Sequence, residues 1–402
     1  MLTTASSPPT GTRYFRLALV LGALTAMGPL AIDTYLPALP TIAREMRTTT
    51  AMVQISLSVY FIGIALGQAV YGPLSDRLGR KPALYVGLTL FIAASIGCAL
   101  SKQVEALIAF RFLQALGGCA PLVVPRAVVR DYFDQRGSVR MLSLLMLVMG
   151  LAPILAPLVG GQLMEYLGWR SIFWAHAAYG TVWLTAVAVE LPESLAPERR
   201  RREPLVSIVG IYRRLLVDRA YMSHVLTGGL IFSGLLAYIS GSAFVFIELF
   251  HVSPQRFGLY FGVNAIGIIA ASQLNGWLAT RTRPERILRV VLPVSLTASV
   301  LILLSAATGI GGFAGILVPL FAFIATHGFV MPNTTALAMA PHGGAAGSAS
   351  ALLGSVQFVL GSAAAGLVGA ASNGTAVPLA AVLAGCGIGA FTIHSLHARP
   401  TS

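Results

Sequence analysis

Runs of about twenty apolar residues, separated by short charged turns, recur from one end of this 402-residue chain to the other. A helix of that length crosses the ~30 Å hydrocarbon core of a bilayer. Lipid leaves few alternatives, because each backbone N–H and C=O must then be bonded within the protein. Composition agrees: 56% of the residues are hydrophobic and 10% charged, where soluble domains carry roughly 25% charged residues. Mean hydropathy is +0.79. The expected fold class is an all-α integral membrane protein of twelve spans, at about 16–41, 50–73, 82–101, 104–130, 139–164, 169–191, 221–246, 257–280, 287–308, 312–337, 346–370 and 375–396. The 42 glycines and 22 prolines suit such helices, where neighbouring helices re-satisfy freed backbone groups.

A net charge of +13 could suggest a nucleic-acid partner, but apart from Arg199–Arg202 the positive residues are scattered among the turns. Loop asymmetry explains them better. With an even number of spans both termini share one side, and that side collects twenty of the 27 Lys and Arg. The opposite loops hold five, Arg44, Arg47, Lys102, Arg170 and Arg256, and Arg111 and Arg126 fall within span four. By the positive-inside rule both termini are expected in the cytoplasm. Cys98, Cys119 and Cys386 lie in apolar runs without ligand spacing, so no metal or other cofactor is expected.

The longest inner loop, 192–220, carries the densest charge and separates two groups of six spans. The expected domains are a six-helix bundle over 1–191, a cytoplasmic linker over 192–220 and a second six-helix bundle over 221–402. Within the linker, Leu205–Leu216 has the pattern of an amphipathic helix for the inner surface. Gly72-Pro-Leu-Ser-Asp-Arg ends span two, and Gly276-Trp-Leu-Ala-Thr-Arg ends span eight 204 residues later, an echo expected of a duplicated bundle.

Ionisable residues at membrane depth are functional candidates by default. Asp33 stands in AIDTYLPALP, 8 residues before Thr41, so ~12 Å from the outer end of span one. Arg111 stands 7 residues into span four, ~10 Å from the same side. If these spans adjoin, the two are natural partners across a cavity, and a purely structural ion pair is the alternative. Pro37 removes the helical partner of the Asp33 carbonyl, as Pro29 does for Thr25 and Pro40 for Leu36. Free carbonyls at that depth fit a wet cavity. In span five, Gly150, Pro153, Pro157, Gly160 and Gly161 combine close helix approach with bending. In the turn after span two, Asp76 is placed to pair with an arginine or a helix N-terminus. Tyr35, Tyr60, Tyr238 and Phe358 are candidate walls for flat amphipathic molecules, and Glu165, Glu190 and Glu248 lie at span ends. His327 reads as a hydrogen-bonded core residue.

The turn Gly72-Pro-Leu-Ser-Asp76-Arg77-Leu-Gly79-Arg80-Lys81 resembles the signature between helices two and three of the major facilitator superfamily. Arg111-Phe-Leu-Gln114, followed by Gly117 and Gly118, is similar to the fourth-helix motif of its proton-coupled members. APLVGG (156–161) resembles the helix-five antiporter motif, with Ala156 where glycine is usual, and AIDTYLPALP resembles the helix-one pattern of the Bcr/CflA (bicyclomycin and chloramphenicol resistance) group. The resemblance implies a multi-pass, monomeric transporter of the bacterial inner membrane, exporting small amphipathic drugs against entering protons by alternating access. It implies proton coupling by Asp33 and Arg111 and substrate contact by those two with Tyr35, Tyr60, Gln114, Tyr238 and Phe358. Gating falls to Gly72, Asp76, Arg77, Gly79, Arg80 and Lys81, with Arg130 and the start of span eleven near Ser348. Thr280, the counterpart of Asp76, departs from the pattern.

No G-x-x-x-x-G-K-[ST] phosphate loop occurs, and the seven histidines lack catalytic spacing, so neither an ATP-driven pump nor a membrane enzyme is expected. The competing reading is a proton-coupled transporter of another small metabolite or nutrient, in either direction.

Overall fold

The computed structural model describes residues 11–133, 135–196, 198, 200 and 206–397, without the side chains of 13, 135, 136, 139, 143, 206–209, 343–346 and 397. Arg13, Arg136, Arg199, Arg201, Arg202 and Arg399, counted above toward the cytoplasmic side, and Leu205 therefore lie outside the described residues or side chains.

The described residues form helices α1 (Gly11–Asp33), α2 (Leu39–Glu45), α3 (Thr50–Leu78), α4 (Arg80–Leu100), α5 (Val104–Tyr132), α6 (Gln135–Leu167) and α7 (Arg170–Glu190). After α8 (Val206–Val217) follow α9 (Arg219–Ala243), α10 (Pro254–Ala279), α11 (Pro284–Thr308), α12 (Gly312–Met339), α13 (Ala346–Ala370) and α14 (Val377–His397). Among the described residues, twelve spans are long and apolar enough to cross a membrane, with α1 and α2 together forming the first. Most run past the apolar segments that announce them. The first reaches Glu45 rather than residue 41, and the second reaches Leu78 rather than 73, so Asp76 and Arg77 lie on its last turn. Helical hydrogen bonding continues into the polar margin until a breaker stops it. Gly79 is that breaker, with φ 109°, a backbone state that L side chains rarely adopt.

Caps set several starts. The Thr49 side chain accepts from the Met52 amide to open α3, and Ser253 precedes Pro254 at α10. Asp218 accepts from the amides of Ala220 and Tyr221 at 2.9 and 3.0 Å to open α9. The expected linker helix is present as α8, and it docks through Ile211, Tyr212 and Leu215 onto α9 and α13.

Packing within the two halves is equivalent. In the first, α5 packs on α3 and α4, α4 on α7, and α1 on α5, α6 and α7; in the second, α12 packs on α10 and α11, α11 on α14, and α9 on α12, α13 and α14. Each pair in one half thus has its counterpart six spans later, which is the arrangement a duplicated six-helix bundle requires. The bundles meet along two seams, α3 with α13 and α6 with α10, and these seams also exchange under the same correspondence. Cross-bundle hydrogen bonds run from Gln54 to the Ser240 carbonyl (3.3 Å), from Ser362 to the Ser58 carbonyl (2.7 Å) and from Ser355 to the Ala65 carbonyl (3.2 Å), and Gln255 bonds Glu165. Gln54, Glu165 and Gln255 lie at the face opposite the termini, called distal here, and there the bundles are closed against each other.

Candidate functional site

Span one breaks where the prolines require it. α1 ends at Asp33, a 3₁₀ turn covers Leu36–Ala38, and α2 restarts at Leu39 with Pro40 in its first turn, where a missing N–H is tolerated. The Leu36 carbonyl, expected to lose its helical partner, accepts from the Leu39 amide in the 3₁₀ turn. Pro29 is absorbed inside α1.

The break is seated between bundles. It packs on α6, α10 and α9. A Cβ on Gly160 would fall 2.0 Å from the Thr34 carbonyl oxygen, and one on Gly161 would fall 3.2 Å from the Pro254 carbonyl of the other bundle. The small residues of span five thus admit the helix-one backbone on one side and α10 on the other.

Asp33 is buried, with 4% of its surface exposed, and among the described residues its carboxylate has neither an ion pair nor a hydrogen bond. Tyr60 of α3 and Tyr238 of α9 lie within electrostatic reach of it. Arg111 is wholly buried and does adjoin span one, but its partner is not Asp33. Its Nη1 donates to the Ala31 carbonyl (3.1 Å) and to Gln114 Oε1 (2.6 Å). The guanidinium carbon lies 4.6 Å from the Tyr35 ring centre and 4.1 Å from that of Tyr60, so cation–π contacts offset part of the cost of burying its charge. Nε and Nη2 have no hydrogen-bond partner among the described residues. The expected ion pair is thus replaced by a cation held two residues away from the acid, with donors to spare.

Gln114 extends the polar chain. Its Nε2 donates to Ser95 Oγ (2.8 Å) and contacts His176 Nδ1 (3.4 Å), while His176 Nε2 contacts Thr34 Oγ1 (2.8 Å). His176 was not singled out from the sequence. The signal was available, since it is an ionisable group in the middle of an apolar span. Tyr35 bonds Ser56 Oγ (3.0 Å).

Across the interface, Tyr238 is buried, accepts from Asn264 Nδ2 (2.9 Å) and stacks on Phe261 at 5.4 Å. Phe358 lies 6.4 Å from Phe61 of the first bundle and 5.0 Å from Phe232, whose ring is 5.8 Å from His327. His327 Nδ1 has no hydrogen-bond partner among the described residues.

The turn residues form a separate cluster at the face bearing the termini. Arg80 pairs with Asp76 (2.5 Å) and Asp131 (2.9 Å) and donates to Ser75 (2.9 Å). Glu193 caps α4 by accepting from the amides of Arg80 (2.9 Å) and Lys81 (3.1 Å), and Ser194 donates to Asp131 (2.8 Å). Asp76 thus finds its arginine within its own bundle. Arg130 is exposed. Gly72 meets nothing at its notional Cβ. Glu165 and Glu190 are exposed, as expected for span ends, and Glu190 pairs with Arg16 at 3.4 Å. Removing the buried Arg80 side chain leaves two carboxylates facing each other. Arg80→Ala is therefore expected to cost about 3 kcal/mol, read by thermal unfolding in detergent, whereas Arg130→Ala at the same face should stay within about 0.5 kcal/mol.

Comparison with known proteins agrees with this architecture. The Major Facilitator Superfamily model matches residues 21–366. An uncharacterized MFS-type transporter of Bacillus subtilis, YdgK, is 38% identical over 377 residues, 93% of either chain. A bicyclomycin resistance protein homolog of Haemophilus influenzae is 28% identical over 92% of this chain and 93% of its own, and the multidrug resistance protein MdtL of Escherichia coli is 35% identical over 56% and 57%. Among solved structures, a D-xylose–proton symporter superposes with TM-score 0.74 at 13% identity over 95% of this chain and 97% of its own, a likeness of fold.

Proposed function

The chain belongs to the major facilitator superfamily, and from that premise we propose that it is a proton-coupled exporter of small amphipathic drugs, working by alternating access in the bacterial inner membrane. The observation that carries the reading is Asp33: a buried carboxylate without a partner among the described residues, at a backbone break seated between two bundles. Burial disfavours a carboxylate's charged form and an adjacent guanidinium favours it, so an acid at a moving interface changes its proton affinity as the interface opens and closes. Arg111, bonded to the Ala31 carbonyl two residues earlier in the chain, has two guanidinium nitrogens without a hydrogen-bond partner among the described residues. The names of two relatives, a bicyclomycin resistance protein homolog and a multidrug resistance protein, support the substrate class.

In this scheme the bundles, 1–191 and 221–402, rock about the seams α3–α13 and α6–α10, with 192–220 as the cytoplasmic connection between them. The closed distal face corresponds to the side from which protons enter and drug leaves. A proton reaching Asp33 from that side neutralises it, and its release toward the cytoplasm resets the carrier. Tyr35, Tyr60, Gln114, Tyr238 and Phe358 offer aromatic and amide surface for a flat drug between the bundles. The turn with Gly72, Asp76, Arg77, Gly79, Arg80 and Lys81 braces the cytoplasmic gate. The unit is a monomer with both termini in the cytoplasm.

The test is drug accumulation. Cells expressing the protein are expected to hold several-fold less of at least one compound from an antibiotic panel including bicyclomycin and chloramphenicol, and a protonophore should abolish the difference. Unchanged accumulation throughout the panel would overturn drug export in favour of a transporter of another metabolite.

A further inference from the structure

His176 of α7 has no part in the scheme above, yet it is buried and engaged at both ring nitrogens. Thr34 Oγ1 donates its hydrogen to the Leu30 carbonyl at 2.7 Å, so at its 2.8 Å contact with His176 it accepts, and Nε2 carries the ring hydrogen. Nδ1 is then a lone pair facing the Gln114 amide N–H at 3.4 Å. The amide is fixed from its other side, where Oε1 accepts from Arg111 and Nε2 donates to Ser95, whose hydroxyl donates to the Phe91 carbonyl (2.7 Å). Turning the amide over would set its N–H₂ against the guanidinium. Only a neutral imidazole in the Nε2–H form completes this chain.

The chain begins and ends on span one. Arg111 holds the Ala31 carbonyl, two residues before Asp33, and His176 holds Thr34, one residue after it. A cavity of about 120 Å³, lined in part by Leu30, Phe91, Val159 and Tyr179, borders the imidazole, so on that side hydrogen bonds rather than packing keep the ring in place. Of the groups on the helices packed around it, α5 presents Arg111 and Gln114, α4 presents Ser95 and Phe91, and α6 presents Val159 and Leu163. Span one presents Thr34 with Asp33 and Tyr35 as its neighbours, and α7 itself adds Phe173 and Tyr179.

We propose that His176 is a positioning residue which, through Gln114, keeps Arg111 on the Ala31 carbonyl and off the Asp33 carboxylate. This rests on the reading of Asp33 as the proton-accepting group. Nη1, tethered by Gln114, anchors the guanidinium against Tyr35 and Tyr60, and its spare donors stay turned from the acid. Loss of the tether frees the guanidinium, which is anchored two residues before Asp33 and lies on Tyr60, a ring within electrostatic reach of the same carboxylate, to turn toward Asp33, and a paired carboxylate gives up its affinity for protons. The imidazole acts by its hydrogen bonds and never by its own charge.

Asp33 protonation can be read without substrate or gradient, by infrared titration of the carboxylic C=O band in the purified protein, assigned by its loss in Asp33→Asn. His176→Leu should require about tenfold more protons, or beyond, to half-fill that band. His176→Gln, whose amide offers an acceptor to Gln114 and a donor to Thr34, should titrate with the wild type. Should His176→Leu not fold, Thr34→Val cuts the other end of the chain and is expected to shift the same way. No shift in His176→Leu or Thr34→Val overturns the proposal, and so does a shift in His176→Gln equal to that of His176→Leu, which would show that the hydrogen bonds to Gln114 and Thr34 do not carry the effect. The drug panel is independent: if it fails while the titration behaves as stated, antiport of drugs falls and the positioning role stands.

Discussion

Asp33→Asn is expected to abolish drug-driven proton release while leaving the protein folded, and at least as resistant to heat as the wild type. The second half of that outcome separates a functional acid from a structural one. A carboxylate in a structural ion pair loses a partner when neutralised, and its removal costs about 3–5 kcal/mol when the pair is buried. Asp33 has no such partner among the described residues, and Arg111 is already bonded to Ala31 and Gln114. Replacing a buried unpaired charge by an isosteric neutral amide removes a desolvation cost, so the melting temperature should hold or rise. Transport should fail for an energetic reason. Each charge moving inward across 100 mV yields about 2.3 kcal/mol, which at about 1.4 kcal/mol per decade is roughly a fifty-fold drug gradient for one proton per drug. Without a titratable group that ceiling falls to unity, so proteoliposomes carrying Asp33→Asn should equilibrate drug without concentrating it. Intact coupling would remove Asp33 from the proton path, and a large fall in melting temperature would return it to a structural role.

Much of this geometry is legible in the residues, and the part that is not has a common cause. Hydrophobic runs fix the number of spans, and proline chemistry fixes the break at Asp33, because both act within a few residues. Depth counting brings Arg111 to the right level and neighbourhood, since it reaches the Ala31 carbonyl. It cannot tell which way a guanidinium turns. That is decided by Gln114 on its own helix together with Tyr60, His176 and Tyr35, which two other spans and the break itself bring to the site. Glu193 escapes a sequence reading for the same reason: it sits in the linker, 113 residues from the Arg80 amide that it caps. The Asp76–Arg80 pair, four residues apart on adjoining helix ends, is the local contrast and is readily anticipated.

Gly160→Ala should be the most damaging single added methyl among the described glycines, because the space it would enter is already occupied by backbone. Its Cβ would lie 2.0 Å from the Thr34 carbonyl oxygen and within 2.8 Å of the Thr34 Cα. No side-chain rotation relieves a clash with main chain, so α6 and the helix-one break must move apart. Overpacking of this kind costs typically 1–3 kcal/mol, and here it displaces the residue next to Asp33 together with the Thr34 hydroxyl that His176 holds. Gly150→Ala is the matched control in the same helix. Its Cβ would meet only the Ile269 side chain, at 3.4 Å, and should cost less than about 0.5 kcal/mol. Measured side by side, Gly160→Ala should lower the melting temperature and drug export several-fold, with Gly150→Ala near wild type in both. Equal tolerance of the two would mean that the break does not depend on its seat in span five. Equal loss of transport without loss of stability would instead make the whole glycine row a sliding surface, needed in motion at Gly150 as much as at Gly160.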